Sequence, residues 1–313
     1  MKLVFCGTPL FAVPTLQALL DAGHDIPLVV SQPDRPVGRA HQITAPPVKQ
    51  TALAAGLAVT QPEKIRNNQD FRAQLEAIAP EAIVVVAYGR IIPPWMLALP
   101  SLGCINLHAS LLPKYRGAAP IQWALAMGES VTGNTTMLLE EGLDTGPILL
   151  QQEISIGPDQ TAPELFDVLA ARGAPLIAET LKGLADGSLQ PRPQDHAQAT
   201  LAPLLTREDG RMDFAQHTAL QLHNRWRGFQ PWPGAFTSLD GKKLIVHRMQ
   251  VAELSGLPPA QPGQLRVADG KVLAACARNT WLELIELQLE GKKRLPAAEF
   301  LRGTQPGPDV RLG

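Results

Sequence analysis

A strong charge of either sign is missing from this sequence. Its 313 residues carry 28 Lys and Arg against 29 Asp and Glu, a formal net charge of −1. No global basic field is therefore available to hold a nucleic acid, and any such partner needs a local patch. Aromatic residues make up only 5%. The cysteines are Cys6, Cys104 and Cys276, an odd number, with the first two inside apolar runs. This pattern gives buried free thiols, not a disulfide framework. No close Cys/His cluster has zinc-site spacing, so no metal is expected. No apolar run is long enough to span a bilayer, which argues against a membrane partner. The first strand-like run starts almost at Met1 and leaves no room for a leader segment. The expected compartment is the cytoplasm, and nothing in the sequence demands more than a monomer.

Nucleotide-binding glycines are also missing. The turn after the first apolar run reads Gly7-Thr8-Pro9-Leu10-Phe11-Ala12 and lacks the second and third glycines of G-x-G-x-x-G. A nicotinamide cofactor is excluded on that ground, and no P-loop occurs. What is present is alternation. Strands are predicted over 3–6, 26–30, 58–60, 82–87 and 104–108, with helices ending near 22 and over 48–55 and 70–78. Strands separated by helices imply an α/β fold built on a parallel sheet. A further strand over 147–156 and a long amphipathic helix over 163–185 close a first domain, taken as 1–188. The stretch 189–205 is rich in Pro and Gln without periodicity and reads as a linker. Over 206–313 the pattern changes to short strands. Asp240-Gly241 and Asp269-Gly270 each sit between apolar runs, a hairpin signature, and several such strands suggest a small antiparallel barrel.

Polar chemistry gathers in residues 104–117. Side chains two apart on a strand share a face, so Asn106 and His108 stand side by side while Ile105 and Leu107 take the opposite face. The strand then breaks into a loop bounded by Pro113 and Gly117. A second stretch, Glu141-Gly142-Leu143-Asp144-Thr145-Gly146, sets an aspartate between glycines after an apolar run over 135–139, and that aspartate is placed to reach His108. Singly, a histidine at a strand end is more often structural, and an aspartate between glycines usually just forms a turn. The pairing of the two stretches is the signal. Asn, His and Asp with no Ser or Cys nucleophile point to acid–base and electrostatic catalysis without a covalent intermediate. A proline-rich loop, 31–47, carries Arg35, Arg39 and His41, and is long for a strand-to-helix connection. Residues 88–93 are expected to border the same cleft as Asn106.

From Leu3 nearly to its end the chain resembles the folate-dependent formyltransferase family. The resemblance rests on Phe5-Cys6-Gly7-Thr8-Pro9, Gln32-Pro33-Asp34-Arg35-Pro36, Val85-Val86-Ala87-Tyr88-Gly89, Gly103-Cys104-Ile105-Asn106-Leu107-His108, Ser110-Leu111-Leu112-Pro113 and Gly142-Leu143-Asp144-Thr145-Gly146. Arg116-Gly117-Ala118-Ala119-Pro120-Ile121-Gln122, the loop and Pro231-Trp232-Pro233 narrow it to the members that formylate methionyl-tRNA.

The resemblance implies a Rossmann-like first domain and an OB-like, tRNA-binding barrel. It implies 10-formyltetrahydrofolate as co-substrate, with no tightly bound cofactor, and initiator methionyl-tRNA as acceptor. Its catalytic set maps onto Asn106, His108 and Asp144, its folate contact onto Ser110, Leu111, Leu112 and Pro113, and its tRNA-contacting arginine onto Arg39. Where many members have Gly-Lys-Lys after that arginine, this chain has Ala40-His41-Gln42; Trp226 and Gln230 also depart from the usual Ile and Asn. Lys242, Lys243, Arg248, Lys292, Lys293 and Arg294 supply local charge in the second domain. Two other readings use the same residues: formylation of a small amine such as an amino sugar or glycinamide nucleotide, and a non-catalytic RNA-binding module that has kept the fold.

Overall fold

The computed structural model describes residues 1–37, 42–253, 257–304 and 310–313. The chain divides into two compact units. The first comprises Met1–Pro120, Val131–Ser155 and Glu164–Pro203; the second comprises Ile121–Ser130, Ile156–Pro163 and Leu204–Gly313.

The first unit is built on a seven-stranded sheet of order β5-β2-β1-β6-β7-β8-β9. Its strands are β1 (Lys2–Gly7), β2 (Asp25–Val30), β5 (Val59–Thr60), β6 (Ala82–Val86), β7 (Cys104–His108), β8 (Val131–Leu138) and β9 (Ile148–Ser155). Helices α1 (Val13–Asp21), α2 (Pro47–Ala54), α3 (Gln69–Ile78) and α4 (Pro94–Leu97) separate the early strands, and α5 (Pro120–Ala126) and α6 (Ala162–Ala185) come later. A small hairpin, β3 (Arg35–Val37) with β4 (Gln42–Thr44), stands apart from the main sheet.

Central strands are apolar on both faces because helices cover both. In β1, Leu3, Val4, Phe5 and Cys6 are fully buried, and every residue of β6 is buried. One face packs Val4, Cys6, Ile83, Val85 and Cys104 with Phe71 and Leu75 of α3 and Met96 of α4. On the other, Leu107 lies against Gly173 of α6, and Phe11 meets Phe166 edge to face at 5.1 Å. Edge strand β9 alternates half-buried with exposed residues after its first two positions. Helix α3 starts where the Asn68 side chain accepts the Phe71 N–H at 3.0 Å, a cap contributing about 1 kcal/mol.

The expected parallel sheet is found as far as β7. Strands β8 and β9 run antiparallel to their neighbours, so the sheet is mixed. Strand periodicity records which residues face the core and carries no information about direction. The chain steps outward from β1 through β2 to β5, then returns beside β1 as β6. Adjacent crossovers thus diverge at β1 and β6, where open α/β sheets form a crevice at the strand C-termini.

The second unit holds an antiparallel sheet of order β10-β11-β14-β13-β12, with β15 beside β14. Its elements are α7 (Ala219–Gly228), β10 (Phe236–Leu239), β11 (Lys242–Val251), β12 (Leu265–Ala268), β13 (Lys271–Cys276), β14 (Thr280–Leu289), β15 (Leu295–Pro296) and α8 (Ala297–Thr304). Both expected hairpins form. Asp240 and Gly241 have φ of 49° and 73°, and Asp269 and Gly270 have 50° and 73°. These are the left-handed pairs of a type I′ turn. Leu222 of α7 and Phe300 of α8 pack with Leu244, Val246, Leu282, Leu284 and Leu287 in one core. The departure at Trp226 is absorbed there: its ring packs against that core and its Nε1–H donates to the His247 carbonyl at 3.3 Å. Helix α5 contributes Trp123, edge to face with Phe229 at 5.4 Å.

Among the described residues no helix is long and apolar enough to cross a membrane.

Candidate active site

The site is built on the last residues of β7. Asn106 and His108 lie on one face as the alternation predicts. Asn106 is half-buried, and its side chain has no hydrogen-bond partner among the described residues. His108 is 6% exposed. Its Nε2 is 2.9 Å from the Tyr115 carbonyl. A carbonyl only accepts, so Nε2 carries the proton and Nδ1 is the ring atom free to exchange one. Nδ1 faces Asp144 Oδ2 at 3.7 Å. That gap exceeds a direct hydrogen bond and is of a length that a single bridging water can span.

Asp144 reaches this place by an unexpected route. Because β8 runs antiparallel, its final residue sits opposite the start of β7, and the Leu139 N–H donates to the Cys104 carbonyl at 2.8 Å. Residues 139–147 then arch back along β7. The flanking glycines do not take the positive φ; Asp144 itself does, at 52°. The glycines are needed for close approach. A Cβ on Gly146 would sit 1.9 Å from the Leu138 carbonyl oxygen, and one on Gly142 would sit 2.1 Å from Thr145 Oγ1. The carboxylate is fixed by the Gly117 N–H, 2.8 Å from Oδ2.

Residues 110–113 are held from beneath. The Ser110 hydroxyl donates to the Lys114 carbonyl at 2.6 Å. Thr135 Oγ1 donates to the Ser110 carbonyl at 2.6 Å and accepts from the Leu112 N–H and Gln151 Nε2, each at 3.1 Å. One donor and two lone pairs are all used. The side chains of Ser110 and Leu112 are buried within the first unit, Leu112 against Met137 and Ile148. Leu111 and Pro113 are half-buried, so they and the main chain are what this stretch offers a ligand.

At the crevice between β1 and β6 the Tyr88 carbonyl accepts from Thr8 Oγ1 at 3.0 Å and Gln32 Nε2 at 3.1 Å, and Arg90 Nε donates to Gln32 Oε1 at 3.1 Å. The start of the proline-rich loop is tied by Lys49, whose Nζ lies 2.7 Å from Asp34 Oδ2 and 2.7 Å from Gln61 Oε1. Side-chain hydrogen bonds from Lys49 and Gln61 lower the pKa of the Asp34 carboxyl. Arg39 lies outside the described residues.

The stretch expected to be a linker behaves differently. The Arg192 and Ile148 main chains exchange two hydrogen bonds at 2.8 Å, and the Ala202 N–H donates to the Arg116 carbonyl at 2.7 Å. Gln194 and Arg116 are both buried. Sequence reasoning missed Gln194, Thr135 and Gln151; polar residues with no motif around them gave no signal.

In the second unit, Lys242, Arg248, Lys292 and Lys293 are exposed. Arg294 pairs with Glu286, and Lys243 Nζ stands 4.1 Å from the centroid of the Phe236 ring. Burial, then neighbouring Arg207, lowers the Lys243 pKa.

Residues 1–181 match the formyl transferase family and residues 204–305 match its C-terminal domain. A methionyl-tRNA formyltransferase of Acidobacterium capsulatum is 68% identical over 313 residues, covering all of both chains. One of Koribacter versatilis is 56% identical, covering 100% of this chain and 99% of the other. Among solved structures, the N-formyltransferase of Helicobacter canadensis, in complex with folinic acid and dTDP-3-aminofucose, superposes with a TM-score of 0.66 at 17% identity, covering 91% of this chain and 98% of that one. Glycinamide ribonucleotide transformylase 1 of Symbiobacterium toebii gives 0.51 at 22% identity, covering 62% and 94%. At these identities the likeness is one of fold.

Proposed function

The chain belongs to the formyltransferase family, among the methionyl-tRNA formyltransferases, and from that premise we propose how it acts. It moves the formyl group of 10-formyltetrahydrofolate to the free α-amine of initiator methionyl-tRNA, giving N-formylmethionyl-tRNA. One observation carries the choice of acceptor: the match to the Acidobacterium enzyme runs the full length of both chains, second domain included. Residues 1–188 form the catalytic domain, and 206–313 contact tRNA through Lys242, Arg248, Lys292 and Lys293. Arg39 meets the tRNA acceptor end. The reaction takes place in the cytoplasm.

The neutral amine attacks the formyl carbon, and the carbonyl electrons move onto oxygen. The Asn106 amide N–H donates to that oxyanion, a contribution of about 3–4 kcal/mol for one well-aimed donor. Asn106 is suited to this because no other group among the described residues uses its amide. The amine must lose a proton and the folate N10 must gain one. His108 Nδ1 and Asp144, facing each other across 3.7 Å, are the pair that relays it. The tetrahedral intermediate then collapses and expels tetrahydrofolate. The donor lies against Leu111, Pro113 and the main chain of 110–113.

The test supplies 10-formyltetrahydrofolate with methionyl-tRNA or with an amino-sugar nucleotide. Formylmethionyl-tRNA as product supports the proposal; formylation of the sugar amine alone overturns it.

A further inference from the structure

We propose that Gln194 is a positioning residue for Asp144, and that residues 192–202 act as a strap setting the gap between Asp144 and His108. The inference rests on Asp144 being a catalytic group.

Gln194 is 6% exposed, and its carboxamide is fully used. Nε2 donates to the carbonyls of Asp144 at 2.9 Å and Gly146 at 2.7 Å. Oε1 accepts from Arg116 Nε at 3.1 Å and Nη2 at 2.6 Å. Two donors and two acceptor sites are the whole capacity of an amide side chain.

The partners give these bonds their meaning. Arg116 lies between Tyr115, whose carbonyl holds His108, and Gly117, whose N–H holds Asp144. One side chain therefore ties the main chain of the Asp144 loop to the stretch that fixes both facing groups. Asp144 also has a φ of 52°, a left-handed conformation open to aspartate among others, and bonds to its main chain lock it in that one state. The Gln194 bond to its own carbonyl does so directly. The strap is anchored on both sides of Gln194. Arg192 pairs with Ile148 upstream, while downstream the Thr200 hydroxyl accepts from the Tyr115 N–H at 2.9 Å and the Thr200 carbonyl from the Arg116 N–H at 2.9 Å. Arg116 Nη2 also reaches His196 Nδ1 at 3.0 Å, which ties a second strap residue to the same guanidinium.

Two substitutions separate positioning from bulk structure. Gln194→Glu keeps the size and the Arg116 contact, but turns both donors into an oxygen facing two carbonyl oxygens. Gln194→Met keeps the volume and removes all four bonds. Each is expected to lower kcat about 10²-fold, the effect of a displacement near 1 Å at the reacting groups. KM for the folate donor should stay within about twofold, and the pH profile of the single-turnover rate should shift. If Gln194 acts through Asp144, its effect vanishes once Asp144 is gone: Gln194→Glu added to Asp144→Asn costs less than about threefold, whereas independent effects multiply. Rates are referred to folate-binding sites, so partial unfolding of Gln194→Met is corrected for and Gln194→Glu stands as the second probe. Wild-type kcat in both Gln194 variants beside an inactive Asp144→Asn overturns the inference and leaves the catalytic reading intact. Loss of activity with an unchanged pH profile and multiplicative effects also overturns it. Full activity in Asp144→Asn sinks the catalytic reading itself.

Discussion

His108 and Asp144 face each other across 3.7 Å, and each is held from behind by main chain. The Tyr115 carbonyl takes the far nitrogen of His108, and the Gly117 N–H takes Oδ2 of Asp144. The two holders are neighbours in sequence on either side of Arg116, so one short stretch sets the distance between the imidazole and the carboxylate.

This arrangement makes Asp144→Asn informative. An asparagine oxygen still accepts from Gly117, so the loop keeps its place and the melting temperature stays close to wild type. The variant loses the charge and the proton acceptor. Turnover is expected to fall about 10²–10⁴-fold, the usual contribution of general acid–base catalysis. Steady-state kinetics beside a thermal melt checks this, and retained turnover at normal stability removes Asp144 from the mechanism.

Gly133 lies beneath the 110–113 stretch. An added Cβ would stand 2.1 Å from the Gln152 carbonyl oxygen and 2.6 Å from Leu111 Cδ2. Gly133→Ala is expected to destabilise the protein by about 1–3 kcal/mol, as overpacking does. The displaced Leu111 should weaken tetrahydrofolate binding about tenfold, equivalent to about 1.4 kcal/mol. Denaturant unfolding and a folate titration test the two effects separately.

What the sequence disclosed follows from locality. Strand β7 was legible because its apolar run and alternation lie within five residues, and the hairpin turns because Asp-Gly carries its own backbone preference. The approach of Asp144 to His108 was legible through the flanking motifs. The reversal of β8 was not, since direction leaves no mark on periodicity. Gln194 was hidden for another reason. It bonds to residues 78 and 50 positions away, inside a stretch whose composition resembles a free linker. Long-range polar bonds from isolated side chains leave no local pattern to read.

His223 supplies a pH test of the second unit. Burial lowers its pKa most; Asp159 opposes this and Arg227 adds to it. The folded chain thus binds this proton less readily than the unfolded chain. The associated stability is present above the unfolded value of about 6.5 and is lost as pH falls below it. The melting temperature should drop between pH 7.5 and 5.5, and His223→Asn should drop less. Equal drops would exclude His223 as a source of the acid sensitivity. His24, also lowered chiefly by burial, remains in both proteins.

Residues 40–42 lack the two lysines common in the family at this point. Restoring them with His41→Lys and Gln42→Lys should steepen the salt dependence of tRNA binding by roughly one to two units of log–log slope. Filter binding over a salt series measures this. An unchanged slope would place these residues away from the tRNA backbone.

The most direct test is the single-turnover rate of formyl transfer by Asn106→Ala, with donor and methionyl-tRNA both bound at saturation. Loss of a donor to the oxyanion predicts a rate roughly 10²–10³-fold lower, about 3–4 kcal/mol of barrier, with both dissociation constants unchanged. Transfer at the wild-type rate would contradict the convergence of these residues on the formyl carbon.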